Sequence, residues 1–401
     1  ETYDAIKLAA AAIVSDAGGD IAAAIQKTGV NYAGASGNHT FDAAGDVLGT
    51  GYEVCKFVVA GASVSFSCPQ IWTADGGVAS SKLEVKTVKI GLLSPETGPI
   101  AQYAPGFNDA GKVAIKELND TYDNFKFELI VADSGCNGTQ AATSAQSLID
   151  SGVSAIVGAA CSGATLGAIA VAAPAGVPMV SYASTSPAIT SVKDNGHLFR
   201  VVPSDAQQAV ALATVASGAG VNKPAVLYMT NDYGSGLADN FKSSWSKSMC
   251  TQVGYDPAEG KYDASTLAQS VVDGGCDSVL LMSYATDGAA IMEALSAQGF
   301  SGKIFGADGL ADAKFDKSFT DASALNGLTA TRPRPGGASA AKKTFEAAYA
   351  AAGGADGAIY TAETYDAIKL AAAAIVSDAG GDIAAAIQKT GVNYAGASGN
   401  H

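Results

Sequence analysis

The chain has 401 residues, 48% of them hydrophobic and only 15% charged, which suits two compact domains with large apolar cores. Its net charge of −14 repels nucleic-acid phosphates and anionic lipid, so nucleic acid is not expected as a partner. No apolar stretch reaches the roughly 18–20 residues that span a bilayer, and no signal peptide is visible, as expected of a mature or recombinant chain.

The first predicted elements belong to a block of 39 residues that occurs twice, as residues 1–39 and 363–401. Its apolar residues recur at helical spacing, Gly18–Gly19 ends this helix, and Asp20 can cap a second one. Two short amphipathic helices cannot bury their apolar faces alone. The block is therefore predicted to cover a sheet.

A β-hairpin is predicted next, over residues 51–72. Cys55 and Cys68 are expected to face each other across its two strands. The small residues that follow, 73–81, are predicted to form a flexible linker.

From residue 88 onward, short β-branched runs alternate with helical patterns, which is typical of parallel sheets with helices on both faces. A break near 199–208 separates two such series, so the fold class is predicted to be α/β with two domains. The predicted strands lie within residues 88–95, 125–134, 154–162, 177–184, 224–232, 277–284 and 303–309.

Six cysteines form three neighbourhoods along the chain, none with the CxxC spacing of a metal or redox site. An even number at moderate spacing favours three disulfides in an exported protein, although the sequence does not fix their pairing. Six buried thiols in a cytosolic protein are the alternative. Neither a metal nor a cofactor is expected. The neighbourhoods are Cys55/Cys68, Cys136/Cys161 and Cys250/Cys276.

An ordered set of segments resembles the branched-chain amino-acid-binding (Leu/Ile/Val-binding-like) family of type I periplasmic solute-binding proteins. The order matches that family when the chain is followed from Lys82 to His401 and then into residues 40–72. No single segment is decisive, but the ordered set is specific. The segments are residues 88–119, 132–165, 177–190, 199–208, 230–241 and 34–54.

The resemblance implies a two-lobed Venus-flytrap fold in which each lobe is a mostly parallel sheet flanked by helices, with three crossovers between the lobes. It places one lobe at 82–203 plus 335–395 and the other at 204–333 plus 40–72. It also implies that Cys136 pairs with Cys161. The implied function is to capture a small amino acid or related zwitterion, in the periplasm or at the cell surface, for the permease of an ABC transporter.

Two explanations of the repeated block stay open. The chain is either a circular permutant with a duplicated segment, or a window on a tandem array of identical binding domains joined by residues 73–81. In both explanations, one folded binding domain offers the block a single docking site. The other copy is then expected to pack elsewhere, for example on a neighbouring molecule by self-association.

Binding residues are expected where strands end and helices begin. The three arginines all lie at presumed crossovers, so an arginine clamp on a ligand carboxylate is not expected. A helix N-terminus can hold a carboxylate instead, and Ser162 and Thr185 lie at two such corners. The resemblance points to the same corners, with backbone groups of Ala183 and Ser184. The alternative is that Ser162 and Thr185 are plain N-caps.

For the ligand ammonium the resemblance selects Asp308, at a strand end where the family usually has an acidic residue. Asp reaches less far than Glu, which suggests a shifted ligand or a bridging water. A turn Asp before Gly309 is the alternative. The aromatic walls are expected from Tyr103, Tyr233 and Tyr284, unless these side chains only pack in loops.

An enzyme is not expected, because the chain has three histidines and no G-x-S-x-G, Walker A or complete G-x-G-x-x-G motif. The duplication leaves one alternative function open. The same lobes could form a structural filament subunit or an engineered ligand-responsive switch.

Overall fold

The structure is a computed structural model that divides into two compact units, Glu1–Val85 and Lys86–His401. Each unit is described by itself. The residues that the structure describes are 2–15, 19–30, 32–34, 37–47, 51–60, 63–73, 77–80, 85–258, 260–354, 359–378 and 381–401.

The first unit begins with two helices, α1 (Thr2–Ser15) and α2 (Ile21–Thr28), which pack against each other. The Asp20 carboxylate accepts a hydrogen bond from Ala23 N at 3.1 Å, so the predicted cap of α2 is confirmed. Gly18 of the predicted Gly18–Gly19 stop lies outside the described residues.

Antiparallel strands make up the rest of the first unit. The hairpin predicted over 51–72 is confirmed as β3 and β4, and the Cys55–Cys68 disulfide joins its strands. The predicted linker 73–81 differs from the structure at Gly77–Ser80, because these residues pair with the free edge of β4. The strands are β1 (Tyr32–Gly34), β2 (Gly37–His39), β3 (Tyr52–Ala60), β4 (Ser63–Thr73) and β5 (Gly77–Ser80).

The second unit contains two five-stranded sheets, and every strand pair in both of them is parallel. In the first sheet the spatial order is the fifth, fourth, third, first and second strand of this unit. Short apolar runs form its middle because helices cover both faces and leave no side exposed to water. Its strands are β6 (Lys86–Ser94), β7 (Phe125–Asp133), β8 (Ala155–Val157), β9 (Met179–Ser181) and β10 (Leu198–Arg200).

Four helices connect the strands of the first sheet. Asn137 caps the second of them, with its side chain accepting from Thr139 N and Gln140 N. The helices are α3 (Ala104–Thr121), α4 (Gly138–Asp150), α5 (Ser162–Ala172) and α6 (Ala188–Ser191), with a 3₁₀ turn at Ala101–Tyr103.

The second sheet repeats this alternation, so the predicted α/β class with two parallel sheets is confirmed. Its elements are α7 (Asp205–Gly218), β11 (Pro224–Met229), α8 (Asp232–Ser244), β12 (Thr251–Tyr255), α9 (Ala264–Asp273), β13 (Ser278–Met282), α10 (Ala285–Ala297), β14 (Lys303–Gly306) and β15 (Leu328–Ala330), with 3₁₀ turns at Asp308–Leu310, Phe315–Ser318 and Ala322–Leu325.

Three helices complete the unit: α11 (Ala340–Ala351), α12 (Thr361–Ser377) and α13 (Ile383–Gly391). α12 packs on α3 and on strands β8 and β9, so the second copy of the block returns to the first sheet. Here "lobe 1" means the first sheet with its helices and α11–α13, and "lobe 2" means the elements from α7 to β15.

Within the described part of Lys86–His401 the chain crosses between the sheets twice, after β10 and after β15. The predicted third crossover leads from the block into residues 40–72, outside this unit, and stays a prediction. Residues 40–72 contribute no strand to the second sheet among the described residues. Their assignment to lobe 2 stays a prediction. No helix in the described part of the chain has the length and apolar character that crossing a membrane requires.

Candidate functional site

A cavity lies between the two lobes of the second unit. Its walls come from loops that follow the carboxyl ends of strands in both sheets, the usual place for a ligand in an α/β fold. Seven of the eight predicted binding residues line it: Tyr103, Ser162, Ala183, Thr185, Tyr233, Tyr284 and Asp308. The other lining residues are Ile100, Phe107, Ala160, Gly309, Ile359 and Tyr360.

Ser162 is the first residue of α5, and its side chain is buried at the wall of the cavity. Its Oγ accepts a hydrogen bond from Ser186 N at 3.1 Å, so its own proton can be donated to a guest. The N-cap of α5 is Cys161, so the interpretation of Ser162 as a plain N-cap is wrong. The positive end of the α5 dipole faces the same corner.

Thr185 lies in the loop between β9 and α6, where Pro187 is the N-cap, so Thr185 is not an N-cap either. Its Oγ1 is buried beside the Asp205 carboxylate and forms no hydrogen bond of normal geometry with the described residues. Thr185 lines the cavity, with the Asp205 carboxylate beside its hydroxyl.

Arg200 holds this loop from behind. Its Nη1 atom donates to the carbonyl oxygens of Ser184, Thr185 and Ser186 at 3.3, 3.0 and 3.0 Å. These three hydrogen bonds fix the loop. Arg200 itself is not among the residues that line the cavity. The expectation that no arginine clamps the ligand carboxylate stays a prediction.

Ser184 is the predicted binding residue that does not line the cavity. Its Oγ donates to Ala159 O at 2.9 Å, and its N–H donates to Ser181 Oγ at 3.0 Å. Both groups are satisfied within the protein, so the structure gives Ser184 a supporting position. The sequence could not distinguish it from its neighbour Thr185, since burial direction in a loop follows no period.

Asp308 lies on the lobe 2 side of the cavity, directly after β14, and is buried. Its Oδ1 accepts from Gln208 Nε2 at 2.9 Å and from Tyr233 OH at 2.8 Å, and its Oδ2 accepts from Tyr360 OH at 2.8 Å. Three donors thus fix the carboxylate at the wall. Its side chain therefore lines the cavity and does not only stabilise the turn before Gly309.

Two buried carboxyl groups, those of Asp308 and Asp205, are close enough to interact. Desolvation raises the pKa of Asp308, although the hydrogen bonds from Tyr360, Tyr233 and Gln208 oppose that shift. Burial, followed by the neighbouring Asp308 charge, also raises the pKa of Asp205. A positive group that approaches two neighbouring buried carboxylates reduces the repulsion between them.

Aromatic and aliphatic side chains form most of the remaining wall. Tyr233 and Tyr284 stack with ring centroids 5.4 Å apart and planes 9° from parallel. On the lobe 1 side, Tyr103 and Phe107 have centroids 6.4 Å apart. The three predicted tyrosines therefore share one cavity and do not merely pack in separate loops.

The two lobes are in contact across the cleft. Ser186 Oγ of lobe 1 donates to Asp232 O of lobe 2 at 2.9 Å. The Tyr284 hydroxyl lies 4.0 Å from Cys136 Sγ, which belongs to the Cys136–Cys161 disulfide at the start of α5. These contacts describe a closed cleft. The third disulfide, Cys250–Cys276, joins the starts of β12 and β13.

Sequence reasoning missed several residues at this site, above all Tyr360. It lies just before α12 at a positive φ of 64°, and its hydroxyl binds Asp308 across the cleft. Ile100, Phe107 and Ile359 were missed too, because an apolar residue at a cavity wall has the same sequence pattern as one in the core.

Similar proteins of known name were found at moderate identity. A leucine-, isoleucine-, valine-, threonine- and alanine-binding protein of Pseudomonas aeruginosa is 27% identical over 265 residues, 65% of this chain and 70% of that protein. A Leu/Ile/Val-binding protein homolog of Brucella melitensis is 28% identical over 233 residues, 57% of this chain. The match spans 63% of the length of the Brucella protein.

Solved structures show the same architecture. The leucine-binding protein LivK of Thermotoga maritima superposes with a TM-score of 0.69 at 28% identity, over 78% of this chain and 90% of that one. The substrate-binding protein LivJ of Streptococcus pneumoniae, solved with isoleucine, gives a TM-score of 0.69 at 26% identity, over 79% and 91%. None of these relatives is described as a filament subunit or a switch, so that alternative gains no support.

The family model described as periplasmic binding protein matches residues 87–400. This range includes all of the second copy of the repeated block except His401 and leaves the first unit outside. Circular permutation and the tandem array therefore stay predictions. The match, the two parallel sheets and the cavity between them agree, and the chain belongs to the periplasmic binding protein family.

Proposed function

We propose that the chain is an extracytoplasmic solute-binding protein that holds a small aliphatic L-amino acid between its two lobes. The observation that carries this proposal is a single cavity with a helix N-terminus and hydroxyls on one wall and a buried carboxylate on the other. The Pseudomonas and Brucella relatives, which are named for leucine, isoleucine and valine, support the same class of ligand.

The zwitterionic part of the ligand has a partner at each end. Its carboxylate would accept from Ser162 Oγ and Thr185 Oγ1 at the positive end of α5. Its ammonium would donate to Asp308, whose position is held by Tyr233, Tyr360 and Gln208. Both charges would then be paired, as burial requires.

The side chain of the ligand would face an apolar wall. Ile100, Phe107 and Ile359 contribute hydrocarbon surface, and Ala160 and Ala183 leave room beside them. A charged ligand side chain would find no partner on this wall and would pay its desolvation cost. We therefore expect leucine, isoleucine and valine to bind more tightly than charged amino acids.

Delivery to an ABC transporter permease is part of the proposal. A ligand that contacts both lobes stabilises the closed form by its higher affinity for that form. The closed form is then the signal that a membrane partner can recognise. Three disulfides agree with a location outside the cytoplasm.

Isothermal titration with the twenty L-amino acids tests the proposal, together with thermal unfolding at saturating ligand. At a ligand concentration of 100 times Kd, the free energy of unfolding of the second unit should rise by about 2.7 kcal/mol. No thermal shift with any amino acid would overturn the proposal.

A matched pair of variants tests the site. Asp308→Asn keeps the shape of the side chain but removes its charge, and should weaken binding about 10- to 100-fold, because a hydrogen bond to a charged group contributes about 1.5–3 kcal/mol. Asp239→Asn, on the exposed face of α8, should leave Kd unchanged. Equal affinity for both variants would contradict the assigned ammonium partner.

A further inference from the structure

The first copy of the repeated block presents an exposed apolar face. In α1, the side chains of Tyr3, Ile6 and Ile13 are 63%, 65% and 51% exposed. Large apolar side chains that recur along one helix are typical of a surface that contacts another protein.

The same face is covered in the second copy. Tyr365, Ile368 and Ile375 are the equivalents of the three exposed residues, each 362 positions later, and they are 5%, 0% and 2% exposed. α12 achieves this by packing on α3 and on strands β8 and β9 of its own unit. The sequence of the block thus encodes a face that fits this surface.

The receiving surface can be named from the contacts of α12. A Cβ added at Gly111 of α3 would lie 3.3 Å from Ile368 Cδ1, so a glycine makes room for this isoleucine. Next to it, Glu117 accepts from Lys369 Nζ at 3.1 Å and also from Tyr365 OH. An apolar pocket with one acidic residue therefore recognises the sequence Tyr-x-x-Ile-Lys.

The first copy carries the three side chains named above, already arranged on a helix. Tyr3, Ile6 and Lys7 stand where Tyr365, Ile368 and Lys369 stand in the second copy. Both copies keep the second helix packed on the first and capped by an aspartate, Asp20 or Asp382. Little conformational entropy would be lost on docking, because the element is formed beforehand.

We propose that residues 1–39 are a docking element for a second copy of this chain. α1 of one molecule takes the place of α12 on the α3 face of another molecule when the block 363–401 of that molecule leaves it. Exchange of identical blocks covers one apolar face and uncovers another, so the unaltered protein remains mostly monomeric at low concentration. When the binding of the second block to the α3 face is weakened, the first block of another molecule occupies that face and joins the two molecules.

The variant Ile368→Asp creates this condition, since it alters the second block and leaves the receiving surface intact. Its mass in light scattering should rise with concentration from 39.8 kDa to twice that value. The double variant Ile6→Asp with Ile368→Asp lacks both faces and should stay at the mass of one chain. Lys27→Asp with Ile368→Asp, altered at an exposed position of α2, should still double its mass.

Cross-linking identifies the contact. A zero-length carbodiimide reagent applied to a mixture of ¹⁴N- and ¹⁵N-labelled Ile368→Asp should join Lys7 to Glu117 in peptides of mixed label. Ile368→Ala, a milder change, provides the same measurement if the aspartate variant does not fold.

Three results would overturn the proposal. They are a single-chain mass at all concentrations without the cross-link, a dimer that persists in the double variant, and a Lys7–Glu117 link found only within one chain. The last result would mean that the block returns to its own molecule.

Discussion

The two copies of the block share a sequence and differ in burial. Both first helices end at the equivalent serine, Ser15 and Ser377, whose Oγ donates to the carbonyl three residues before it at 2.8 and 2.9 Å. In each copy the final histidine approaches the aspartate of the first helix at 3.4 Å. The local structure of the block is therefore a property of its own residues.

The burial of the first helix of the block does not follow from its own residues alone. Val14 at the end of α1 is exposed, whereas Val376 at the equivalent position of α12 packs against the core of its unit. The same contrast holds for Tyr3, Ile6 and Ile13 and for their equivalents in α12. An amphipathic helix specifies which face is apolar, but the partner that covers this face comes from α3 and the first sheet.

The largest expected effect comes from the isoleucine that the copies bury differently. Ile368→Ala leaves a cavity against α3 and should lower the free energy of unfolding of the second unit by about 2–5 kcal/mol. Ile6→Ala, at an exposed position, should change stability by less than about 0.5 kcal/mol. Urea unfolding at low protein concentration measures both, and equal losses would contradict the different burial of the two isoleucines.

The pH dependence of the second unit tests a further difference between the copies, because the second copy begins with the half-buried Glu363. Burial raises the pKa of Glu363 to about 7, from an ordinary value of 4.5. The folded form therefore binds the proton more tightly than the unfolded form, so the free energy of unfolding falls as the pH rises from about 4.5 to about 7. The fall amounts to roughly 3 kcal/mol.

The variant Glu363→Gln isolates this contribution. The difference in unfolding free energy between the unaltered protein and Glu363→Gln should change across pH 4.5–7 and be flat above pH 8. Other buried acids, such as Asp287 with a pKa raised to about 6 by burial, contribute equally to both proteins and cancel. A difference that does not vary with pH would contradict the raised pKa.

The smallest expected effect concerns one hydroxyl. Tyr365 OH donates to Glu117 Oε2, and Tyr365→Phe removes this bond while it preserves the ring. We expect a loss of about 1.5–3 kcal/mol at most, since the acceptor is a charged group that is still partly hydrated and keeps Lys369. Tyr3→Phe in the exposed copy should have no measurable effect on unfolding.

Much of the fold followed from local patterns. The alternation of apolar runs and helical segments predicted two parallel sheets, and seven of their ten strands fall at the predicted segments. The short strands β10, β12 and β15 were not predicted. The linker was a further exception. Gly77–Ser80 are small residues without a strand pattern, and they form β5 because β4 offers a row of unpaired backbone groups.

The cavity was predictable where its residues follow strand ends. Ser162, Thr185, Tyr284 and Asp308 stand at such positions, and all of them line it. Tyr360 was not predictable, since its contact with Asp308 joins residues of different lobes and depends on a backbone φ of 64°. The support from Gln208 to Asp308 spans 100 residues and leaves no local signal either.

Local sequence patterns were enough to predict many of the helices, seven strands of the second unit and the cap at Asp20, since these follow from the spacing of apolar residues and from contacts between residues close along the chain. The tertiary structure alone decided which copy of the block is buried and which groups hold Asp308. Both depend on surfaces that distant segments create when they pack, and one sequence of 39 residues therefore has two different surroundings in one molecule.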